Sequence, residues 1–372
     1  MPGSSRHRLP CAAAATVALG LGVIPAGAAE RWVAGYAVGY EHALQPVSTL
    51  DFRSLTHLIV GRYVPRPDGS LDRSCDWDAA KCPAWARSLG VRAHAAGRKA
   101  LLFLGGAGAH DGFAAAARPA RRAAFVRNVA AAVKDLGFDG VDVDWEPVEA
   151  ADVEDLIAFL KALRAAMPRA LITMPVNFTN LNFPQSGIGW TKRAAPYLDR
   201  VDIMTYEMAG NWGWAKSWHG AALGGATPAM PTSTAVSVAS YRALGIPAAK
   251  LGIGVGFFGQ CWKGGVTGPR QAVGASAVVG TLTYATILDR YHRADAYRWD
   301  ATARASYLGR AAGLGPQGCS FVSYEDPRSI AAKVAWAKVQ GLGAVIVWTV
   351  SAGWRGSTRT NAPLTAVGAF LK

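Results

Sequence analysis

The sequence predicts an α/β fold: a closed (β/α)8 barrel of the TIM type, with a small α+β insertion after the seventh strand. Two observations carry that expectation. Short apolar runs alternate with longer Ala-rich segments of helical period, eight times along the chain. The rhythm breaks once, between Trp262 and Phe321, where Gly-rich turns and short segments replace it. At 372 residues the chain has room for a barrel of roughly 250 residues plus insertions. Alternation alone would also allow a doubly wound open sheet.

The strands read as Trp32–Val38, His57–Val60, Ala100–Leu104, Gly140–Trp145, Ala170–Val176, Arg200–Thr205, Lys250–Phe257 and Gly343–Thr349. The clearest helices between them are Phe113–Leu136 and Val153–Met167, the second ending before Pro168. The N-terminus reads as a separate piece. Arg6, His7 and Arg8 precede an apolar run from Cys11 to Ile24, and Ala26-Gly27-Ala28-Ala29 offers small residues for cleavage. This three-part pattern predicts a secretory signal over residues 1–29, the run being shorter than the ~20 residues a membrane span needs. The expected division is therefore signal 1–29, barrel 30–261 and 323–372, and insertion 262–322. The product is expected to be secreted, extracellular or periplasmic, and not membrane-bound.

Composition narrows the function classes. Hydrophobic residues make up 51% and charged residues 17%, which suits a large core and excludes a disordered chain. The formal net charge of +14 is compatible with anionic cell walls, but the basic residues are scattered and no basic run interleaves with aromatics, so no nucleic-acid partner is expected. Once Cys11 leaves with the signal, Cys75, Cys82, Cys261 and Cys319 remain. An even count in an exported chain permits disulfides, in any of three pairings. The favoured one joins Cys75 to Cys82 across a small loop and Cys261 to Cys319 across the insertion. The four lack the close paired spacing of a zinc site.

The richest segment is Phe138-Asp139-Gly140-Val141-Asp142-Val143-Asp144-Trp145-Glu146. Side chains alternate faces along a strand, so Asp142, Asp144 and Glu146 share one face while Val141, Val143 and Trp145 share the other. In a barrel the first set points inward. Three acids there are costly unless they share protons or pair. Glycoside cleavage suits them. The last carboxyl lies nearest the mouth, where a neighbouring negative charge would keep it protonated as a general acid. Asp142 and Asp144 are expected to hold one proton between them. Asp139 has the wrong parity and is assigned a structural role at the start of the strand. A divalent-metal site is the weaker reading, because such ligands usually come from loops; no metal or other cofactor is expected.

The pattern Asp139-x-x-Asp142-x-Asp144-x-Glu146 resembles the signature of glycoside hydrolase family 18, the chitinase family, in its bacterial form with an α+β insertion. Val201 to Glu207, Lys250 to Trp262, Ser323 to Pro327, and Gly341 to Val345 with Trp348 are similar to flanking family segments. The resemblance implies a chitinase acting on β-1,4-linked N-acetylglucosamine polymers by a substrate-assisted retaining mechanism. It makes Glu146 the acid and then the base. It likewise implies that Asp144 orients the acetamide, that Asp142 tunes Asp144 and that Tyr206 donates to the acetamido group. By the same resemblance Trp348 is expected under the distorted sugar with Met204 and Glu207 around it, Glu207 standing where Asp is more usual. Weaker matches place Tyr36, Tyr40 and Trp212 at sugars, while Trp214 and Trp218 stack sugars or pack their loop. Gly105 and Gly106 match a Ser-x-Gly-Gly motif whose serine position holds Phe103. Ala107, Pro147, Phe258 and Gln260 also depart from the pattern, which bears on distant subsites. A monomer is expected. Cleavage of N-glycans or peptidoglycan, or lectin-like binding without activity, are the competing functions; Glu146, Asp144 and Tyr206 together argue for an enzyme.

Overall fold

The structure is a computed structural model that describes residues 30–210 and 215–372. The expected signal segment, Trp212 and Trp214 lie outside the described residues. Eight strands run in chain order: β1 (Trp32–Val38), β2 (His57–Pro65), β3 (Lys99–Gly105), β4 (Gly140–Asp144), β5 (Leu171–Asn177), β6 (Arg200–Met204), β7 (Leu251–Gly256) and β8 (Ala344–Trp348). Each pairs in parallel with the next, β7 and β8 included despite the long excursion between them, and β8 returns to β1. The sheet is therefore a closed barrel without edges, and the doubly wound alternative is excluded.

Helices cover the outside. They include α1 (Cys82–Ala95), α2 (Pro119–Leu136), α3 (Val153–Ala166), α4 (Thr234–Ala243) and α5 (Pro327–Val339). The long helix expected over Phe113–Leu136 is two pieces, His110–Ala116 and α2. Pro119 explains the break: it disfavours helical geometry at Arg118, which is extended, and is well placed in a first turn. α2 then stops at Gly137, whose φ of +71° is cheap only for glycine.

Parity divides the core as alternation requires. Val141, Val143 and Trp145 point outward and join a cluster with Phe113, Phe125 and Phe159. There Trp145 stacks on Phe113 at 5.0 Å between centroids, and Phe125 on Phe159 at 4.7 Å. Burying each such ring contributes about 1.5–3 kcal/mol. The barrel interior has two unlike halves. Ala34, Tyr36, Val38, Ile59, Leu101, Phe103 and Ile346 form an apolar cluster inside β1, β2, β3 and β8. Inside β4, β5 and β6 the buried side chains include the polar Asp142, Asp144, Thr173 and Asp202. The alternate residues of β7, Gly252, Gly254 and Gly256, carry no side chain at all. A Cβ on Gly252 would overlap the Asp202 carboxyl; one on Gly254 would lie 2.6 Å from the Tyr206 ring, and one on Gly256 2.6 Å from Phe258. The missing side chains of β7 make the space that the acid and the phenol occupy.

Between β7 and β8 the chain builds a five-stranded antiparallel sheet. Its spatial order is Ala277–Thr283, Phe258–Lys263, Cys319–Tyr324, Ala305–Leu314 and Tyr297–Asp300. The boundary expected at Trp262 falls inside the strand Phe258–Lys263, so the sheet starts nearer to β7 than composition suggested. The Cys261–Cys319 disulfide joins two paired strands of this sheet, and Cys75–Cys82 closes a short loop after β2. Glu325, just past the sheet, is buried, accepts the Gly256 N–H at 3.0 Å and pairs with the fully buried Lys333 of α5 at 2.7 Å. This anchors the returning chain to the end of β7.

Candidate active site

The row of acids stands on β4 and the two residues after it. Asp142 is fully buried, and both carboxylate oxygens are used: Tyr36 donates to Oδ2 at 2.7 Å and Thr173 to Oδ1 at 2.5 Å. Burial pushes the Asp142 pKa up to about 6, with the two donors pulling the other way. Asp144 is buried too, and its Oδ1 has no hydrogen-bond partner among the described residues. Burial, then the charges of Glu146 and Asp142, raise its pKa well above the carboxylate range. Of the pair, Asp142, held by two donors, is the better placed to carry the charge, and Asp144 the better placed to hold the proton.

Glu146 lies past the strand's end and is half-buried, at a cleft shared with Asp144, Asn177, Trp190, Met204 and Tyr241. Its pKa is raised, first by burial and then by the charge of Glu207. Glu207, from the loop after β6, is the neighbouring charge at this position, and Asp144 is not among the causes. The close approach of the neighbouring strand's end to the row depends on Gly105, which pairs with Asp144. Its φ is +101°, and a Cβ there would overlap the Asp144 carbonyl, which accepts the Gly106 N–H at 2.8 Å.

Tyr206 is buried, its ring edge-on to Phe258 at 5.9 Å. Burial, then the charges of Asp144 and Glu146, push its pKa up, so the phenol keeps its proton and remains a donor. With Glu207, Phe258, Gln260 and Tyr324 it lines a second hollow against the inserted sheet. Trp348 ends β8, partly exposed, with Tyr36 at 5.2 Å and Phe103 at 5.8 Å beneath it.

Other sequence-singled residues fall elsewhere. Tyr36, expected at a sugar, is 1% exposed and bonded to Asp142, so it belongs under the row and offers no face to a substrate. Tyr40 is 49% exposed on the loop after β1. Trp218 is fully buried and donates to the Thr232 carbonyl at 2.8 Å, which makes it loop packing. Asp139 sits at the N-terminal end of β4, accepting from Lys99 at 2.8 Å and the Ala100 N–H at 2.9 Å, with His94 at 2.8 Å. Asp202, Thr173 and Arg62 were not singled out. The parity argument, applied to β5 and β6 as it was to β4, finds the first two: Ile172, Met174, Val201 and Ile203 face outward, so Thr173 and Asp202 face in. Asp202 is buried beside Asp142, and burial pushes its pKa up to about 8.

The model of the family described as glycosyl hydrolases family 18 matches residues 33–353. The chain belongs to glycosyl hydrolase family 18. As a family 18 member with this carboxylate row, it is a glycoside hydrolase. It is 26% identical over 356 residues to Chitinase 1 of Aphanocladium album, covering 86% of this chain and 80% of that protein. It is 27% identical over 357 residues to Chitinase B of Serratia marcescens, covering 76% and 70%. Among solved structures, the Group IV chitinase of Ostrinia furnacalis superposes with a TM-score of 0.78 at 20% identity, over 92% of this chain and 100% of that one. A family 18 chitinase from Cycas revoluta, solved with an N-acetylglucosamine tetramer, gives 0.76 at 24% identity, over 92% and 100%. These superpositions bear on the barrel.

Proposed function

We propose that this family 18 hydrolase is a secreted, monomeric chitinase that cleaves β-1,4-linked N-acetylglucosamine by substrate-assisted catalysis. The observation that carries the proposal is the split of the acid row: a buried Asp142–Asp144 pair leading to a half-buried Glu146 at the cleft, its pKa raised by burial and Glu207. Glu146 protonates the glycosidic oxygen, and the C1–O bond breaks toward it. The substrate's acetamido oxygen closes on C1, giving an oxazolinium ion. Asp144 passes its proton to Asp142, faces the developing cation and takes the proton back when the oxazolinium opens, while Tyr206 donates to the acetamide. Water then adds at C1 and returns its proton to Glu146, restoring the acid with retained configuration.

Trp348 supports the apolar face of the reacting sugar, and Met204 and Glu207 flank it. Tyr40 and Trp212 extend the track to further sugars. Two disulfides support an oxidising destination, and no helix of the described residues is long and apolar enough to cross a membrane. The likeness to the chitinases of Aphanocladium album and Serratia marcescens supports chitin as the substrate. The barrel, residues 30–257 with 325–372, acts as the catalytic domain, and the antiparallel sheet within 258–324 is its insertion.

Product analysis tests the proposal. Labelled chitooligosaccharides are expected to release products with the β-anomer first, and oligomers lacking N-acetyl groups are expected to resist cleavage. Equal cleavage of de-N-acetylated oligomers, or initial inversion, would overturn the substrate-assisted reading.

A further inference from the structure

Arg62 belongs to no motif singled out above. It lies where β2 pairs with β3 through a register shift: Gly61 stands opposite Phe103 and Tyr63 opposite Leu104, leaving Arg62 as an extra residue. Such a bulge re-aims a side chain, and here it does so at the C-terminal mouth of the barrel. Four of the five guanidinium N–H groups are committed. Nε and Nη2 reach the two Asp76 oxygens at 2.6 and 3.3 Å, and Nη1 donates to the carbonyls of Gly105 at 3.1 Å and Ala107 at 2.8 Å. Gly105 is the residue that pairs with Asp144 on the neighbouring strand. Asp76 adjoins Cys75, so the disulfide with Cys82 holds the loop that holds Asp76. Gly106 leaves room for the guanidinium, since a Cβ there would lie 3.0 Å from Nη1.

We propose that Arg62 is a positioning residue for the reaction: clamped by Asp76 and the β3 loop, it sets a fixed positive charge beside the acid row that favours the ionised form of Asp144 needed opposite the oxazolinium. The inference rests on the substrate-assisted reading above for its catalytic consequence. Its electrostatic part stands apart from that reading. Glu146 and Asp142 on and beyond β4 both oppose ionisation of Asp144, and Arg62 acts in the other direction. Tyr36 from β1 and Tyr206 after β6 face the same carboxyl as neutral phenols. Tyr40, from the loop after β1, also feels Arg62, Asp76 and Glu207. A lysine would supply the charge without the planar fork; a glutamine would supply a donor without the charge.

The test uses Arg62→Met, Arg62→Gln and Arg62→Lys in the full secreted chain. The titration of the Asp144 carboxyl, followed by carbon NMR, is expected to move up by about half a pH unit or more in the Met and Gln variants and to stay near wild type in the Lys variant. The acid limb of the pH profile of kcat on a chitooligosaccharide moves with it. Two neutral variants make the outcome independent of either one's folding. An unchanged Asp144 titration in the neutral variants, or an equal rise in the lysine variant, overturns the assignment. Failure of the wild type to cleave the oligosaccharide would overturn the proposed function and leave the NMR comparison intact.

Discussion

The Tyr36 hydroxyl donates to Asp142 Oδ2 at 2.7 Å, joining the first barrel strand to the fourth across the interior. The bond gives a buried carboxylate one of its two donors, the other being Thr173. It also fixes the ring on which Trp348 leans.

Replacing that phenol by Phe leaves the shape and removes the donor. Tyr36→Phe is expected to lose about 1–3 kcal/mol of stability in denaturant unfolding, because a buried charged acceptor is left short of a partner. The bond lowers the Asp142 pKa, so its loss raises it. The proton then sits more evenly between Asp142 and Asp144, and kcat should fall while KM changes little.

Glu146→Gln keeps the side chain's size and half-buried place and deletes the transferable proton. A loss in kcat of about 10²–10⁴-fold is expected from removing a general acid–base. Thermal unfolding and binding of a chitooligosaccharide, measured by calorimetry, should stay close to wild type. Retained turnover would mean that another group donates the proton.

Asp202 makes stability depend on pH with a definite sign. Its folded pKa of about 8 exceeds the ~3.9 of an unfolded Asp, so the native state binds more protons between those values. Its contribution is complete below about pH 4 and is lost as pH rises through about 8. Asp202→Asn should therefore narrow the drop in melting temperature between pH 5 and pH 8.5. A drop identical to wild type would show that Asp202 ionises normally.

Gly254→Ala tests the space that β7 concedes. The new Cβ would stand 2.6 Å from the Tyr206 ring, inside van der Waals contact, so the phenol must move. The cost is expected to be about 1–3 kcal/mol in stability. The loss in kcat should approach that of Tyr206→Phe, and combining the two changes should cost less than the sum. Full additivity would place the glycine's effect elsewhere.

Strand positions were legible because a buried parallel strand shows itself as a short apolar run, and the inward face of β4 because three acids at alternate positions have no other plausible home. What escaped was the response of the neighbours. The rise in the Glu146 pKa comes partly from Glu207, which only the path of the loop after β6 brings near. The family resemblance placed Tyr36 at a sugar, yet its hydroxyl turns inward to Asp142. Arg62 was invisible because a one-residue bulge has no periodic signature. Pro119 was the missed local signal, and it splits one expected helix into two.

The bare inner face of β7 has a consequence for how such a chain can vary. Residues 252, 254 and 256 give up their volume to side chains rooted at 202, 206 and 258, so each pair shares a fixed allotment of space. A relative that carries Ala or Ser at one of these three positions should carry a shorter residue at the matching partner. The two changes should arrive together or not at all.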